Sequence, residues 1–335
     1  MGGVTETASP VARPVLALDL GASRIRAAVV AGDGRILRRA DGRTPREAGP
    51  GGVIAAMVSM LRQVRDAAPE DIRRALAGVG IAAPGPLDAN TGTLVEPPNL
   101  GSGFRDVQIA EPIARATSLP VALERDTNVA ALAEWEFGVA RGATDFLYLT
   151  VSTGIGGAIV SDGRLVGGRD GAAGELGHLL VELNGPACGC GGRGHLEAIS
   201  SGVGIARAAV EAMADGAAPG LQRLAGSLGR GLDARDVAVA EQAGDPAAVR
   251  IIARARHAFA ETCVALVNTF NPELIVVGGS IARGEGDRWL DPARRSVAEH
   301  AFRIPRERVR IVPAALGDDV GLVGALPLLR RAYGD

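Results

Sequence analysis

The chain contains no lysine, and all 36 of its basic residues are arginine. That absence removes whole classes of chemistry. A P-loop needs the lysine of its Gly-Lys-Ser/Thr, a protein kinase its strand lysine, and a pyridoxal enzyme the lysine of its Schiff base. The arginine and alanine excess is itself an ordinary consequence of codon bias. Aromatic residues make up 3% of the 335 positions, too few for base-stacking platforms. A net charge of −2 provides no polyanion-binding surface, so nucleic acid is not an expected partner. No apolar run reaches the roughly 18–20 residues a membrane span requires. Three cysteines occur, Cys188, Cys190 and Cys263, an odd number that makes no disulfide framework. Met1–Pro14 is polar, contains proline and lacks an apolar core, so it reads as a loose tail rather than a signal peptide. The expectation is a soluble, cytoplasmic chain, whose 47% hydrophobic content and length fit two domains better than one.

What is present repeats itself. An apolar run, Val15–Asp19, leads into the turn Leu20-Gly21-Ala22-Ser23. A second stretch, Ile25–Val30, follows, and Gly32-Asp33-Gly34 signals a hairpin before Ile36-Leu37. The same order returns at Phe146–Val151, Ser152-Thr153-Gly154-Ile155-Gly156-Gly157, Ala158-Ile159-Val160, the Asp162-Gly163 turn and Leu165-Val166. Two copies of strand, glycine turn, strand, Asp-Gly turn and strand imply an internal duplication. Facing glycine turns from two domains would hold the phosphates of a nucleotide. Between the copies, Val53–Val64 has helical spacing, Gly78–Ala82 reads as a strand and Ala110–Thr117 as a helix. Val121–Leu123 is a short strand and Asn128–Phe137 a helix. Beyond residue 200 the chain reads as mainly helical, apart from strands at Leu274–Val277 and Val309–Val312. There, Ala212–Gly231 is expected to be a helix joined to a mobile loop, and Gly321–Arg331 a final helix returning to the first domain. This alternation predicts an α/β fold.

Four motifs carry candidate chemistry. In the first turn, Asp19 through Gly21 and Ser23 to Arg24, the small residues let backbone amides approach an anion, and Asp19 is placed to hold magnesium through water. Read alone, the segment is equally an ordinary hairpin with a solvated aspartate. Thr153-Gly154-Ile155-Gly156 looks like part of a dinucleotide fingerprint, but that fingerprint opens a helix, whereas a strand follows here. Paired with the first turn, it reads as half of a phosphate clamp. His178, Cys188, Cys190 and His195 fall within 18 residues, among Gly185, Pro186, Gly189, Gly191, Gly192 and Gly194. Two thiolates and two imidazoles leave no open position, which is structural zinc chemistry; the alternative is a flexible glycine loop with a reactive thiol pair. His257 and His300 sit in helical contexts and read as surface residues. Finally, Glu124-Arg125-Asp126-Thr127-Asn128 lies between a strand and a helix. Asp126 there is either a base that accepts the proton of a sugar hydroxyl or a helix cap, a role Thr127 would also serve.

At this point the chain resembles the ROK family (repressors, open reading frames, kinases), which includes bacterial glucokinases and N-acetylmannosamine kinases. The likeness runs from about Val15 to Leu329. Its most specific pieces are Ala173-Gly174-Glu175-Leu176-Gly177-His178 and the run from Cys188 through Cys190 and His195 to Glu197. Supporting pieces are Gly80 to Pro86, Pro98-Asn99-Leu100, and Asn271 to Gly279. The resemblance implies an actin-like ATPase (ribonuclease H-like) fold, duplicated, with an interdomain cleft. One domain would be 15–138 plus 318–335, and the other 139–317 with the zinc-binding loop. It implies that Asp126 is the catalytic base of an ATP-dependent sugar kinase. Asn99, Glu175, His178 and Glu197 would bind sugar hydroxyls, with His178 also holding zinc through its other ring nitrogen. The two glycine turns would hold ATP phosphates, with Gly278 and Gly279 near the adenosine. A structural zinc would then fix the loop that carries His178 and Glu197.

Three departures from the family pattern stand out. Ser23 replaces the usual threonine and keeps its hydroxyl, and His195 replaces a usual cysteine at the fourth zinc position. Arg125 stands where the kinases carry a sugar-contacting asparagine, and arginine has no acceptor with which to replace it bond for bond. Arg125 is therefore either a substrate-binding residue that alters sugar preference, toward a modified or anionic hexose, or a partner of Glu124 or Glu134. The expected reaction moves the terminal phosphate of ATP to a hexose hydroxyl, at carbon 6, in a homodimer or homotetramer with magnesium. The alternative is a catalytically inactive sugar sensor, or a transcriptional regulator of the same family lacking its DNA-binding domain. About 18 residues precede Asp19, too few for a helix-turn-helix.

Overall fold

A computed structural model describes residues 13–334. Of the expected N-terminal tail, all but Arg13 and Pro14 lies outside the described residues. The chain divides into two compact units. The first runs to Phe137 and takes in Gly168–Ala172 and the C-terminal stretch from Asp318; the second comprises Gly138–Gly167 and Ala173–Gly317.

The first unit is built on strands β1 (Val15–Leu20), β2 (Arg24–Val30), β3 (Ile36–Arg43), β4 (Val79–Ala83) and β8 (Val121–Arg125), in the order β3-β2-β1-β4-β8. The β1–β2 and β2–β3 pairs are antiparallel, whereas β4 runs parallel to both β1 and β8. Every residue of β1 and β4 is buried, because helices cover both faces and a strand so covered reads as one apolar run. Leu16, Leu18 and Leu20 face one side, where the Gly49–Asp66 helix lays down Val53, Met57, Leu61 and Val64 at helical spacing. Val15 and Ala17 face the other, under Val129 and Leu132 of the Asp126–Glu136 helix and Leu322, Leu326 and Leu329 near the C-terminus. The expected final helix is two helices in this unit, Val320–Val323 and Ala325–Tyr333. A small sheet of β5 (Leu87–Asp88), β6 (Thr93–Leu94) and β7 (Val107–Gln108) has strands of two residues each, too short for alternation to reveal.

The second unit repeats the plan with β9 (Phe146–Val151), β10 (Ile155–Ser161), β11 (Arg164–Leu165), β12 (Leu274–Gly278) and β13 (Arg310–Pro313), ordered β11-β10-β9-β12-β13. Its pairings are of the same kinds, antiparallel on the hairpin side and parallel through β12. Its core is dominated by the helix Pro246–Phe270. Asp245 caps that helix by accepting from the amides of Ala247 and Ala248, Pro246 opens it, and Asn271 closes it in the left-handed region. Its Phe259 ring lies 5.7 Å from that of Trp289 on the Asp287–His300 helix. Ala212–Gly231 departs from expectation. Instead of a mobile loop it holds the end of the Gly202–Ala214 helix and a further helix, Pro219–Leu228. Pro219 starts that helix and buried Leu221 anchors it in the core, a short apolar signal hidden among alanines and glycines. Among the described residues no helix is long and apolar enough to cross a membrane.

Candidate functional site

In the first unit, the chain leaves β1 and reverses at Gly21, whose amide donates to the Arg24 carbonyl at 2.8 Å. Thr44 braces the reversal. Its hydroxyl donates to the Gly21 carbonyl at 2.6 Å and its amide to the Ser23 carbonyl at 3.1 Å. Asp19, Gly21, Ser23 and Arg24 line a cavity of about 210 Å³ together with Arg26 and Asp318. The β1–β2 register sets Arg26 directly opposite Asp19, and the two form an ion pair. Arg26 also donates to the Asp318 carbonyl. Burial raises the Asp19 carboxyl above its ordinary pKa, with Arg26 the chief opposing influence and Arg39 a weaker one. The aspartate expected to face magnesium therefore already carries a guanidinium on one oxygen. Magnesium keeps most of its waters and takes one or two protein carboxylates beside substrate phosphates, so Asp19 fits it as a water-mediated contact. Sequence reading passed over Arg26 and Asp318. Counting back across the hairpin from Asp19 would have found the arginine; nothing local marks Asp318, which arrives from the far end of the chain.

Two strands away, β8 delivers Glu124, Arg125 and Asp126 to the same carboxyl edge of the sheet. Asp19 pairs in register with Ala82, and Ala82 with Glu124. Asp126 is exposed and is the first residue of its helix; Arg125, in extended conformation, holds the N-cap position. The Asp126 Oδ1 accepts from the Thr127 amide at 2.7 Å. Arg125 is only 3% exposed, and its stem packs over Gly85. Its guanidinium donates to Asn128 Oδ1 at 3.3 Å, and the Asn128 amide donates to Glu124 Oε1 at 3.0 Å. Glu124 Oε1 also accepts from the Arg125 backbone at 2.8 Å. Arg125 thus reaches Glu124 through Asn128, which the sequence reading had not considered as its partner. Asn99 is exposed on the turn Pro98–Leu100, where its carbonyl accepts from Arg46 at 3.2 Å.

In the second unit, Thr153 and Gly154 lie in the turn between β9 and β10, and Gly156 is the second residue of β10. The carbonyls of Ser152 and Thr153 accept from the amides of Gly202 and Val203 at 2.8 and 3.1 Å. Gly278 pairs in register with Thr150, so Gly278 and Gly279 leave the sheet beside that turn. Side chains could not replace them. A Cβ would lie 2.4 Å from the Tyr148 hydroxyl at the first and 2.3 Å from the Val151 carbonyl at the second.

The expected metal ligands converge. One ligand atom from each of His178, Cys188, Cys190 and His195 lies within 4.8 Å of every other. Cys188 Sγ is 3.6 Å from His178 Nδ1, and Cys190 Sγ is 3.2 Å from His195 Nδ1. Tetrahedral zinc with ordinary Zn–S and Zn–N bonds needs ligand–ligand edges of about 3.3–3.8 Å; these two pairs lie close to that spacing, and two thiols with two imidazoles are the donor chemistry of a closed site. The knuckle is tied by Cys188 and Gly192, whose backbones bond at 2.8 Å, and by a bridge between Leu180 and His195. Burial is the main influence pushing the Cys188 thiol pKa up. Glu197, two residues beyond His195, is half-buried, whereas Glu175 is exposed. His257 and His300 are exposed on their helices, away from any such cluster.

The comparisons with known proteins agree over nearly the whole chain. The ROK family model matches residues 15–332. A glucokinase of Thermotoga maritima is 33% identical, covering 96% of this chain and 98% of that protein. An N-acetylmannosamine kinase of Citrobacter koseri is 35% identical, covering 96% of this chain and 99% of its own length. Among solved structures, a ROK family glucokinase from Streptomyces griseus, in complex with glucose and AMPPNP, superposes with a TM-score of 0.79. It shares 31% identity and covers 95% of this chain and 99% of its own.

Proposed function

The chain belongs to the ROK family, with the actin-like fold of its sugar kinases, and from that membership we infer that it is an ATP-dependent kinase that phosphorylates a hexose hydroxyl. The observation that carries the mechanism is the placing of two aspartates on one sheet edge: Asp126 one residue past β8, exposed, and Asp19 at the end of β1 beside a glycine turn. At ordinary strand spacing, two strands apart corresponds to roughly 10 Å.

In this reading Asp126 accepts the proton of the sugar hydroxyl, at carbon 6, as the bond to phosphorus forms. The amides of the two glycine turns bind the phosphate oxygens and offset their charge where it grows. Asn99, Glu175, His178 and Glu197 bind sugar hydroxyls, and Gly278 and Gly279 leave room for the adenosine. Magnesium, held through water by Asp19, would neutralise the phosphates. Zinc, held by His178, Cys188, Cys190 and His195, would stiffen a glycine-rich loop that has little core of its own. The same reading carries the expectation of a cytoplasmic homodimer or homotetramer, which size-exclusion chromatography with light scattering checks.

A coupled ATP assay over glucose, mannose, fructose, N-acetylmannosamine and N-acetylglucosamine, with magnesium, tests the reading. Turnover of at least one sugar, with phosphate recovered on it, is the expected result. A zinc-loaded, folded protein that phosphorylates none of the five would sink it.

A further inference from the structure

The strongest unassigned geometry lies where the knuckle meets the second glycine turn. Ile155, the first residue after that turn, donates its amide to Glu197 Oε2 at 2.9 Å. The fit is tight, because a Cβ on Gly154 would lie 2.6 Å from the same oxygen. The other carboxylate oxygen, Oε1, lies 3.9 Å from Cys188 Sγ. On its carbonyl side, Ile155 is held by a different segment. A Cβ on Gly177 would lie 1.9 Å from the Ile155 oxygen, so only glycine lets the turn Leu176–His178 seat there. The two holding segments are joined to each other by the Leu196 amide, which donates to the Leu179 carbonyl at 3.0 Å.

Both segments carry knuckle ligands. His178 follows Gly177 directly, and His195 stands two residues before Glu197. Anything that draws His178, Cys188, Cys190 and His195 together therefore presses on Ile155 from both sides. A carboxylate accepting a backbone amide makes a stronger bond than a neutral acceptor, and it fixes a turn whose glycine would otherwise sample many conformations.

We propose that Glu197 is a positioning residue for the second glycine turn, so that filling the knuckle with zinc sets nucleotide affinity as well as sugar affinity. This rests on the kinase reading above, which assigns phosphates to the turn and zinc to the knuckle. Glu197 then has two duties on two oxygens: Oε2 holds the turn, and Oε1, which accepts from the Cys188 thiol at 3.9 Å, would serve the sugar once zinc takes that sulfur as thiolate.

The test uses the zinc-loaded full chain and amide hydrogen exchange of peptides covering Val151–Ala158. In Glu197→Ala, exchange there is expected to speed up about ten-fold. In Glu197→Gln, whose amide oxygen can still accept from Ile155, it should stay within about three-fold of wild type. Wild-type protein stripped with a chelator should behave like the alanine variant, while peptides from β1–β2 in the first unit stay unchanged and exclude global unfolding. Titration with Mg–AMPPNP in the absence of sugar should follow the same order, with affinity about ten-fold weaker in Glu197→Ala. Unchanged exchange in Glu197→Ala, or a variant that loses sugar affinity alone, overturns the proposal. Should wild type bind no AMPPNP while exchange follows the expected order, the nucleotide reading fails and the hold of Glu197 on the turn stands.

Discussion

Replacing Asp126 with asparagine separates chemistry from structure more cleanly than any other single change. The side chain is exposed, and asparagine keeps its volume. The carbonyl oxygen of asparagine can accept from the Thr127 amide as Asp126 Oδ1 does at 2.7 Å. What disappears is a negative charge in the first turn of a helix, worth about 0.3–1 kcal/mol at an exposed position, and the basic lone pair. Loss of a general base costs about 10²–10⁴ in rate, or roughly 2.7–5.5 kcal/mol. The kinetic effect should therefore exceed the stability effect several-fold. The assay is steady-state kinetics with ATP and the best hexose of the panel, beside a urea melt of the same preparation. The expected outcome is turnover reduced about 100- to 10,000-fold, with KM for the sugar changed less than about three-fold. Turnover within ten-fold of wild type would refute the assignment of the base. A raised KM with unchanged turnover would make Asp126 a binding residue instead.

Three further changes probe the surroundings. Arg26→Met keeps the aliphatic stem but removes the chief influence opposing the raised pKa of the buried Asp19 carboxyl, so that less of it is ionised; the half-saturating magnesium concentration should rise about ten-fold, the equivalent of roughly 1.4 kcal/mol, while the melting temperature drops. An unchanged magnesium profile would leave Arg26 a purely structural residue. The double change Cys188→Ser with Cys190→Ser should abolish the single zinc per chain measured by elemental analysis and lower the melting temperature; retention of metal would show that the knuckle is not the zinc site. Arg125→Asn should redistribute kcat/KM among the five hexoses by about ten-fold or more, the scale of one lost or gained polar contact. An unaltered ranking would leave Arg125 with a structural part only, in which packing over Gly85 and bonding to Asn128 take a share.

Much of this architecture could be read from residue patterns because the two hairpins obey local rules. Apolar runs broken by glycine turns mark β1–β2 and β9–β10, Asp-Gly turns mark β2–β3 and β10–β11, and cap residues such as Asp245-Pro246 mark the long helix. The knuckle was legible for a different reason: two cysteines and two histidines in a short glycine-rich window form a candidate metal-ligand set, and one ligand atom from each of His178, Cys188, Cys190 and His195 converges as that spacing implies. What stayed hidden depends on long-range closure. Arg26 meets the Asp318 carbonyl across most of the chain length, and Glu197 meets Ile155 across a loop whose course no local pattern dictates. The Pro219–Leu228 helix was missed because alanine and glycine blur its periodicity, leaving Leu221 as its main buried anchor.

The duplication also explains why the two glycine turns need different supports. In the first hairpin the last paired residues before the turn are Leu20 and Ile25, and the pair behind them is Asp19 and Arg26. In the second the last pair is Val151 with Ile155, and the pair behind it is Thr150 with Gly156. Where one copy has an ion pair across the hairpin, the other has a hydroxyl opposite no side chain at all. The first turn is therefore steadied by its own strands, through Asp19 with Arg26, and by Thr44. The second has no such internal brace and takes one from outside, in the carboxylate of Glu197 and the close seat of Gly177. An aspartate on β9 at the position of Thr150 would have placed a negative charge beside a turn assigned to bind phosphate. In this reading both turns bind phosphate, but only the first carries an aspartate of its own, and the carboxylate beside the second, Glu197, is already bonded to the Ile155 amide. By this argument Thr150→Asp should weaken Mg–AMPPNP binding more than Thr150→Val does, and equal effects of the two would show that charge at that position is of no consequence.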